Sequence, residues 1–120
     1  MMMRRFEDVL SWQKSRELML LVYELFRDEK DYGFRNQIQR AAVSIMNNIA
    51  GGFERQTNNE FKQYLYISKG SCGEVRSMLY LAKDLGKISN DDFDKLYAMS
   101  VEISKLLSGF IKTLKPANKN

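Results

Sequence analysis

Along most of the chain apolar side chains return at every third or fourth position, the spacing that gathers them on one face of a helix. From about Asp8 to Arg27, Trp12, Met19, Val22 and Phe26 share a face that Leu18, Leu21 and Leu25 broaden, and a first helix is predicted there. After a charged connector from Asp28 to Gly33, the residues Phe34, Ile38, Ala42, Ile45 and Ile49 recur at helical spacing, giving a second helix over 34–50. Gly51-Gly52 reads as its C-terminal stop. Thr57-Asn58-Asn59 carries side chains suited to an N-cap, and a third helix is predicted from Glu60 to Leu85, ahead of Gly86. At about 1.5 Å per residue it would be about 40 Å long.

The fourth segment, 90–114, has Ser89 and Asn90 as caps and the acids Asp91 and Asp92 in its first turn, where the helix dipole favours them. Its seam of Phe93, Leu96, Ser100, Ile103, Leu107, Phe110 and Leu114 alternates steps of three and four, the pattern of helices packed nearly along one another. No segment alternates with the period of a strand. Four long helices joined by short connectors predict an all-α fold, an antiparallel up-down-up-down four-helix bundle. One domain spans 1–120, in keeping with a 120-residue chain, and the polar tail 115–120 is expected to fray.

Composition narrows the chemistry. The chain has no histidine, which removes Ser-His and Cys-His nucleophile pairs, histidine-bearing zinc sites and the Glu-x-x-His di-iron motif of helical bundles. Gly-rich phosphate loops, nucleophile elbows and carboxylate clusters are missing too, so no catalytic residue, metal ligand or cofactor site is assigned and a non-enzyme is expected. The longest apolar run, Leu18 to Tyr23, is far short of a membrane span, which takes about 20 residues. Met1-Met2-Met3-Arg4-Arg5 turns acidic at Glu7 and Asp8, unlike a secretory signal, and Cys72 is the single cysteine. A cytoplasmic location is the expectation. Cys72 reads as a packing residue, with Lys69 the nearest candidate for activating its thiol.

The net charge of +4 is modest, but it is unevenly spread. Residues 1 to 32 hold six basic and seven acidic side chains, residues 33 to 76 six basic against three acidic. Within the third segment Lys62, Lys69, Arg76 and Lys83 are spaced by seven, a repeat that drifts only about 20° per step and so forms one basic edge. Arg55 extends the line if the preceding loop allows. Two readings stand: a solvated flank beside the apolar seam, or an edge that tracks phosphates. On the second helix Gln37, Arg40, Ser44, Asn47 and Asn48 form a polar face, solvent-exposed or a contact surface. Trp12 and the tyrosines 23, 64, 66, 80 and 97 fit core or interface better than base stacking. Gly70-Ser71-Cys72-Gly73 is unusually small for a helix interior, and close approach by another backbone is the simplest compensation.

Three blocks of residues carry a family resemblance. Phe6-Glu7-Asp8-Val9-Leu10-Ser11-Trp12-Gln13-Lys14-Ser15 resembles the opening of the small four helix bundle protein family, first named for proteins encoded within intervening sequences of bacterial 23S ribosomal RNA genes. The run from Tyr32 to Ala50, with Gly52-Phe53-Glu54-Arg55, is similar to the family's central motif. Glu60-Phe61, Tyr64-Leu65-Tyr66-Ile67 and Lys69-Gly70-Ser71 continue it through Glu74, Arg76 and Asp84-Leu85-Gly86. Gly51 departs from the usual Glu, and Gln39 from a frequent basic residue. The resemblance implies a four-helix bundle, often a ring of five subunits, without known catalytic activity. The similar accessory variability determinants of diversity-generating retroelements bind nucleic acid and a reverse transcriptase. As partners it therefore implies further copies of the chain, and RNA, DNA or a nucleic-acid enzyme.

Residues and resemblance together set two expectations. Nucleic acid is assigned to Arg40, Arg55, Lys62, Lys69, Arg76 and Lys83, the alternative being a protein-interaction adaptor that never touches it. With Phe61, Ser68, Val75 and Ala82 at the centre of the buried seam, one flank of the third helix is basic and the other mixes Glu60 and Glu74 with Ile67 and Leu81. Such unlike flanks favour head-to-tail contacts that close into a ring, with Ile67, Gly70, Gly73 and Leu81 at an interface between chains or between helices of the bundle.

Overall fold

The computed structural model describes residues 3–115, so the tail from 116 onward lies outside the described residues. A single 3-10 turn, Phe6–Asp8, precedes four helices: α1 (Leu10–Leu25), α2 (Tyr32–Phe53), α3 (Asn58–Asp84) and α4 (Asn90–Thr113). The sequence-predicted helices match these within a few residues, and the differences have local causes.

Helix α2 begins earlier than Phe34 because the Asp31 side chain accepts a hydrogen bond from the Phe34 N–H at 3.2 Å, which places Gly33 inside the first turn. It also ends later, at Phe53, so Gly51-Gly52 is not a stop. The one left-handed glycine is Gly86, with φ of 69°. There the Lys87 N–H reaches the Ala82 carbonyl at 2.8 Å and the Gly86 N–H reaches that of Lys83 at 3.1 Å, the paired bonds of a Schellman end. The start of α3 is a capping box in which the Thr57 hydroxyl accepts from the Glu60 N–H while the Glu60 carboxylate accepts from the Thr57 N–H. Ser89 caps α4 by accepting from the Asp92 N–H at 3.0 Å.

Each helix packs against its neighbours in sequence, and α1 closes the square against α4. Ser68 donates to the Ile45 carbonyl, and the Ser71 and Ser44 hydroxyls meet at 2.8 Å, so α3 climbs as α2 descends. Along α3 and α4, Phe61 faces Phe110 and Tyr80 faces Phe93 and Tyr97, again antiparallel. An edge-to-face pair of Phe26 and Phe34 pins the joint of α1 and α2. Among the described residues this is the up-down-up-down order, drawn out to 56 × 23 × 20 Å.

The predicted seams lie in the core: Val22 and Phe26, then Ile38, Ala42, Ile45 and Ile49, then Val75 and Ala82, then Leu96, Ile103 and Leu107. Five serines, 11, 15, 68, 71 and 100, are buried with them. Ser15 satisfies its hydroxyl on the Ser11 carbonyl one turn back, whereas the Ser11 hydroxyl has no partner among the described residues. Of the glycines, Gly52 is the most closely approached. A Cβ built there would lie 2.6 Å from Tyr64 Cβ and 2.8 Å from Phe61 Cδ1, so only glycine lets α2 and α3 sit this close.

Candidate nucleic-acid interface

Ser68, Val75 and Ala82 turn α3 inward, and its basic edge consequently falls on the α4 side. The two helices meet through aromatic clusters at either end, Phe61–Phe110 at one and Tyr80–Phe93–Tyr97 at the other. Between these clusters Lys69, Cys72 and Arg76 of α3 lie beside Ser100 and Ser108 of α4, with Ser104 and Gly109 on the same surface. The surface there sinks into a groove of about 490 Å³, lined by Lys69, Arg76, Val101, Ser104, Lys105, Ser108, Gly109 and Lys112. Four of those eight residues are cations and none is acidic.

Lys69 and Arg76 are half-buried in this groove, and hydroxyls hold their heads. Lys69 Nζ donates to Ser108 Oγ at 2.7 Å, and Arg76 Nη1 donates to Ser100 Oγ at 3.1 Å. Ser100 in turn donates to the Cys72 carbonyl at 3.1 Å, so the arginine is positioned through a buried serine from the α3 backbone. Among the described residues the ion pairs are Arg5–Asp8, Arg55–Glu60 and Lys87 with Glu29 and Asp31. Lys62, Lys69, Arg76, Lys83, Lys105 and Lys112 take part in none of them. A cation drawn partly out of water without a counter-charge is unfavourable, and an anion entering the groove would relieve it.

The other assigned residues divide. Lys62 is half-buried on the same edge, and Lys83 lies with its ammonium 4.6 Å from the centre of the Phe93 ring. Arg55 is turned away. Its guanidinium bonds Glu60 at 2.9 Å and lies over Tyr64, 5.7 Å from the ring centre, on the flank that faces α2. That pairing holds the Glu60 carboxyl below its ordinary range, with Thr57 assisting, and raises Arg55. Arg40 stands with Gly33, Asn36, Gln37, Ser44 and Glu74 around a separate polar depression between α2 and α3. Since α3 lies between the two depressions, Arg40 is not part of the basic edge. Ser44 and Asn48, from the polar face of α2, are spent on helix contacts: Asn48 donates to the Ser44 carbonyl and hydroxyl, and Ser44 meets Ser71. Reasoning from the sequence missed Lys105 and Lys112, also seven apart. The signal was short, because the preceding positions at that spacing are Asp91 and Ala98.

On the outward face of α3, Ile67 is 55% and Leu81 43% exposed, so neither lies between helices of this bundle. Gly70 shares that face. A Cβ added to it meets nothing within 4 Å, and one at Gly73 meets only the Arg76 side chain, so neither glycine accommodates another backbone within the chain. Cys72 is fully buried, and burial pushes its thiol up to about 11 against the pull of Arg76 and Lys69, which leaves it inert rather than poised to react between chains. None of Trp12, Tyr23, Tyr64, Tyr66, Tyr80 and Tyr97 lines the basic groove. No helix is long and apolar enough to cross a membrane among the described residues.

Comparison with known proteins agrees with this architecture. A crystal structure of a protein of unknown function from the S23 ribosomal protein family of Bacteroides thetaiotaomicron superposes with a TM-score of 0.80 at 26% sequence identity, over 86% of this chain and 99% of that one. No curated protein is significantly similar to the sequence. The model of the 23S rRNA-intervening sequence protein family matches residues 7–109, which takes in α1, α2, α3 and most of α4, and the chain therefore belongs to that family.

Proposed function

We propose that this is a non-enzymatic, cytoplasmic, self-assembling bundle that binds nucleic acid through the basic edge of α3. One observation carries the reading: Lys69 and Arg76 are held half-buried by serine hydroxyls in a groove whose lining has no carboxylate. Side chains that only solubilise a surface extend into water; these two are preorganised and have no carboxylate partner among the described residues. The absence of histidine from the sequence supports the non-enzymatic part. Assembly would strengthen the binding, since a ring repeats a mildly basic face around one axis. Five subunits is the number the family resemblance implies.

Labelled RNA titrated with protein at several salt concentrations tests this. Affinity should fall linearly on logarithmic axes as salt rises, and Lys69→Ala with Arg76→Ala should flatten that line. No complex at micromolar protein in low salt refutes the proposal.

One observation favours a second reading, an adaptor ring that recruits protein alone. Tyr66, Ile67 and Leu81 are all exposed on α3, an apolar surface apart from its packed faces, whereas the exposed Tyr80 is already held against Phe93 and Tyr97. A second copy is its proposed occupant, because Glu74 gives this flank a character unlike the basic edge and so suits a head-to-tail contact. A monomer across the micromolar range in native mass measurements would exclude both the ring and this use of the face.

A further inference from the structure

Resting on the nucleic-acid reading above, we infer that the α3–α4 groove holds one strand rather than a duplex. The strand is gripped by its phosphodiester backbone between a wall of Lys69 and Arg76 and a second wall of Lys105 and Lys112. Each pair is seven residues apart, two helical turns, so its members project from one side of their helix about 10 Å apart. The walls therefore present matched rows of positive charge along one channel. Ser104 and Ser108 supply hydroxyl donors between them, and Glu102, the acid three residues before Lys105, is outside the groove's lining, in a neighbouring depression that shares Val101 and Lys105 with it.

Width selects the ligand. Axes of packed helices lie about 8–10 Å apart, and a channel between two of them is narrower than any double helix. A duplex would rest on the rim, within reach of Lys105 and Lys112, while the recessed heads of Lys69 and Arg76 stayed below it. A single strand can descend to them. The lining has no aromatic ring, so bases find no stacking platform, and recognition runs through phosphate without regard to sequence.

An independent observation comes from Gly109. It lies one turn from both Lys105 and Lys112, on the wall of the channel, in a helix where alanine would be the better residue. A Cβ added there meets nothing within 4 Å, so packing within the chain does not call for glycine. Its effect is to leave bare backbone between the two α4 cations, which widens the channel where a sugar-phosphate would lie.

The test uses fluorescence anisotropy with a labelled single-stranded oligouridylate, a duplex of equal length, and inorganic pyrophosphate as competitor. The strand should bind at least tenfold tighter than the duplex, and excess pyrophosphate at constant ionic strength should compete only weakly, since it cannot span both rows. With four contacts, the slope of log affinity against log salt should be about −3, falling to about −1.4 in Lys105→Ala/Lys112→Ala. Gly109→Leu should weaken strand binding at least tenfold while leaving the melting temperature unchanged or raised; a lowered melting temperature would contradict the open channel. Equal or tighter binding of duplex overturns the inference, as does an unchanged slope in the double variant. Competition by pyrophosphate as strong as by the strand overturns it in favour of a small phosphate ligand. If neither nucleic acid binds, the nucleic-acid reading itself fails.

Discussion

Replacing a helical glycine by alanine should have opposite signs at two positions of this bundle, and geometry decides which is which. At Gly52 the new methyl group would sit 2.6 Å from Tyr64 Cβ, 2.8 Å from Phe61 Cδ1 and 3.2 Å from Tyr64 Cγ. Comfortable carbon–carbon contact needs about 3.5–4.0 Å, so α3 must retreat by about 1 Å. Rotating a side chain does not relieve the clash, because Tyr64 Cβ is fixed to its backbone. Overpacking costs about 1–3 kcal/mol, about 2–3 where no side-chain rotation relieves it, and the helix preference for alanine returns about 1 kcal/mol. Gly52→Ala should therefore destabilise by about 1–2 kcal/mol. Gly109→Ala meets no atom within 4 Å and should gain up to about 1 kcal/mol. For a chain of this size each kcal/mol moves the melting temperature by about 4 °C, so the two variants should separate by about 8–12 °C. Thermal and urea unfolding followed by far-ultraviolet circular dichroism, at one protein concentration so that any assembly contributes equally, reads the difference. A Gly52→Ala protein as stable as the parent would refute the claim that this glycine sets the α2–α3 distance.

Three further outcomes follow from the same packing. The Cys72 thiol, fully buried and raised to about 11, should resist thiol reagents in the native protein and react at once in denaturant; rapid native labelling would contradict its placement. Glu29 is held below the ordinary carboxylate range by the Asp31 backbone N–H and then by Lys87, a pairing that ties the α1–α2 joint to the α3–α4 joint. A depressed folded pKa contributes stability above the unfolded value that is lost as pH falls through the folded one, so Lys87→Ala should flatten the acid limb of the stability–pH curve and change the neutral-to-alkaline limb little. If the native mass shows the proposed ring, Ile67→Lys or Leu81→Lys should reduce it to that of a monomer while helical content is kept; loss of helix instead would be at odds with side chains 55% and 43% exposed.

The fold was legible because its determinants are local. Seams spaced by three and four, the Thr57 and Ser89 caps and the Gly86 end each write themselves into a few neighbouring residues. Gly52 was misread for the opposite reason: a glycine after an apolar stripe is the mark of a helix stop, and only the approach of Tyr64 from another helix reveals its use. The groove was half legible. Spacing by seven put Lys62, Lys69, Arg76 and Lys83 on one edge, but which helix that edge faces depends on the packing order. That order brought in Lys105 and Lys112 and left Arg40 on the far side of α3. Arg55 was decided by its turn, which turns the guanidinium to Glu60. Core serines such as Ser100 look polar in a sequence, yet a hydroxyl satisfied on a backbone carbonyl packs like a small apolar group.

A crystal structure with a short oligouridylate bound would decide the assignment of nucleic acid to the α3–α4 groove. Phosphate groups should lie between α3 and α4, within hydrogen-bond distance of Lys69 Nζ and the Arg76 guanidinium and flanked by Lys105 and Lys112. Nucleic acid seated instead on the α2–α3 depression beside Arg40 and Glu74, or across the outward face of α3 at Ile67 and Leu81, would contradict it.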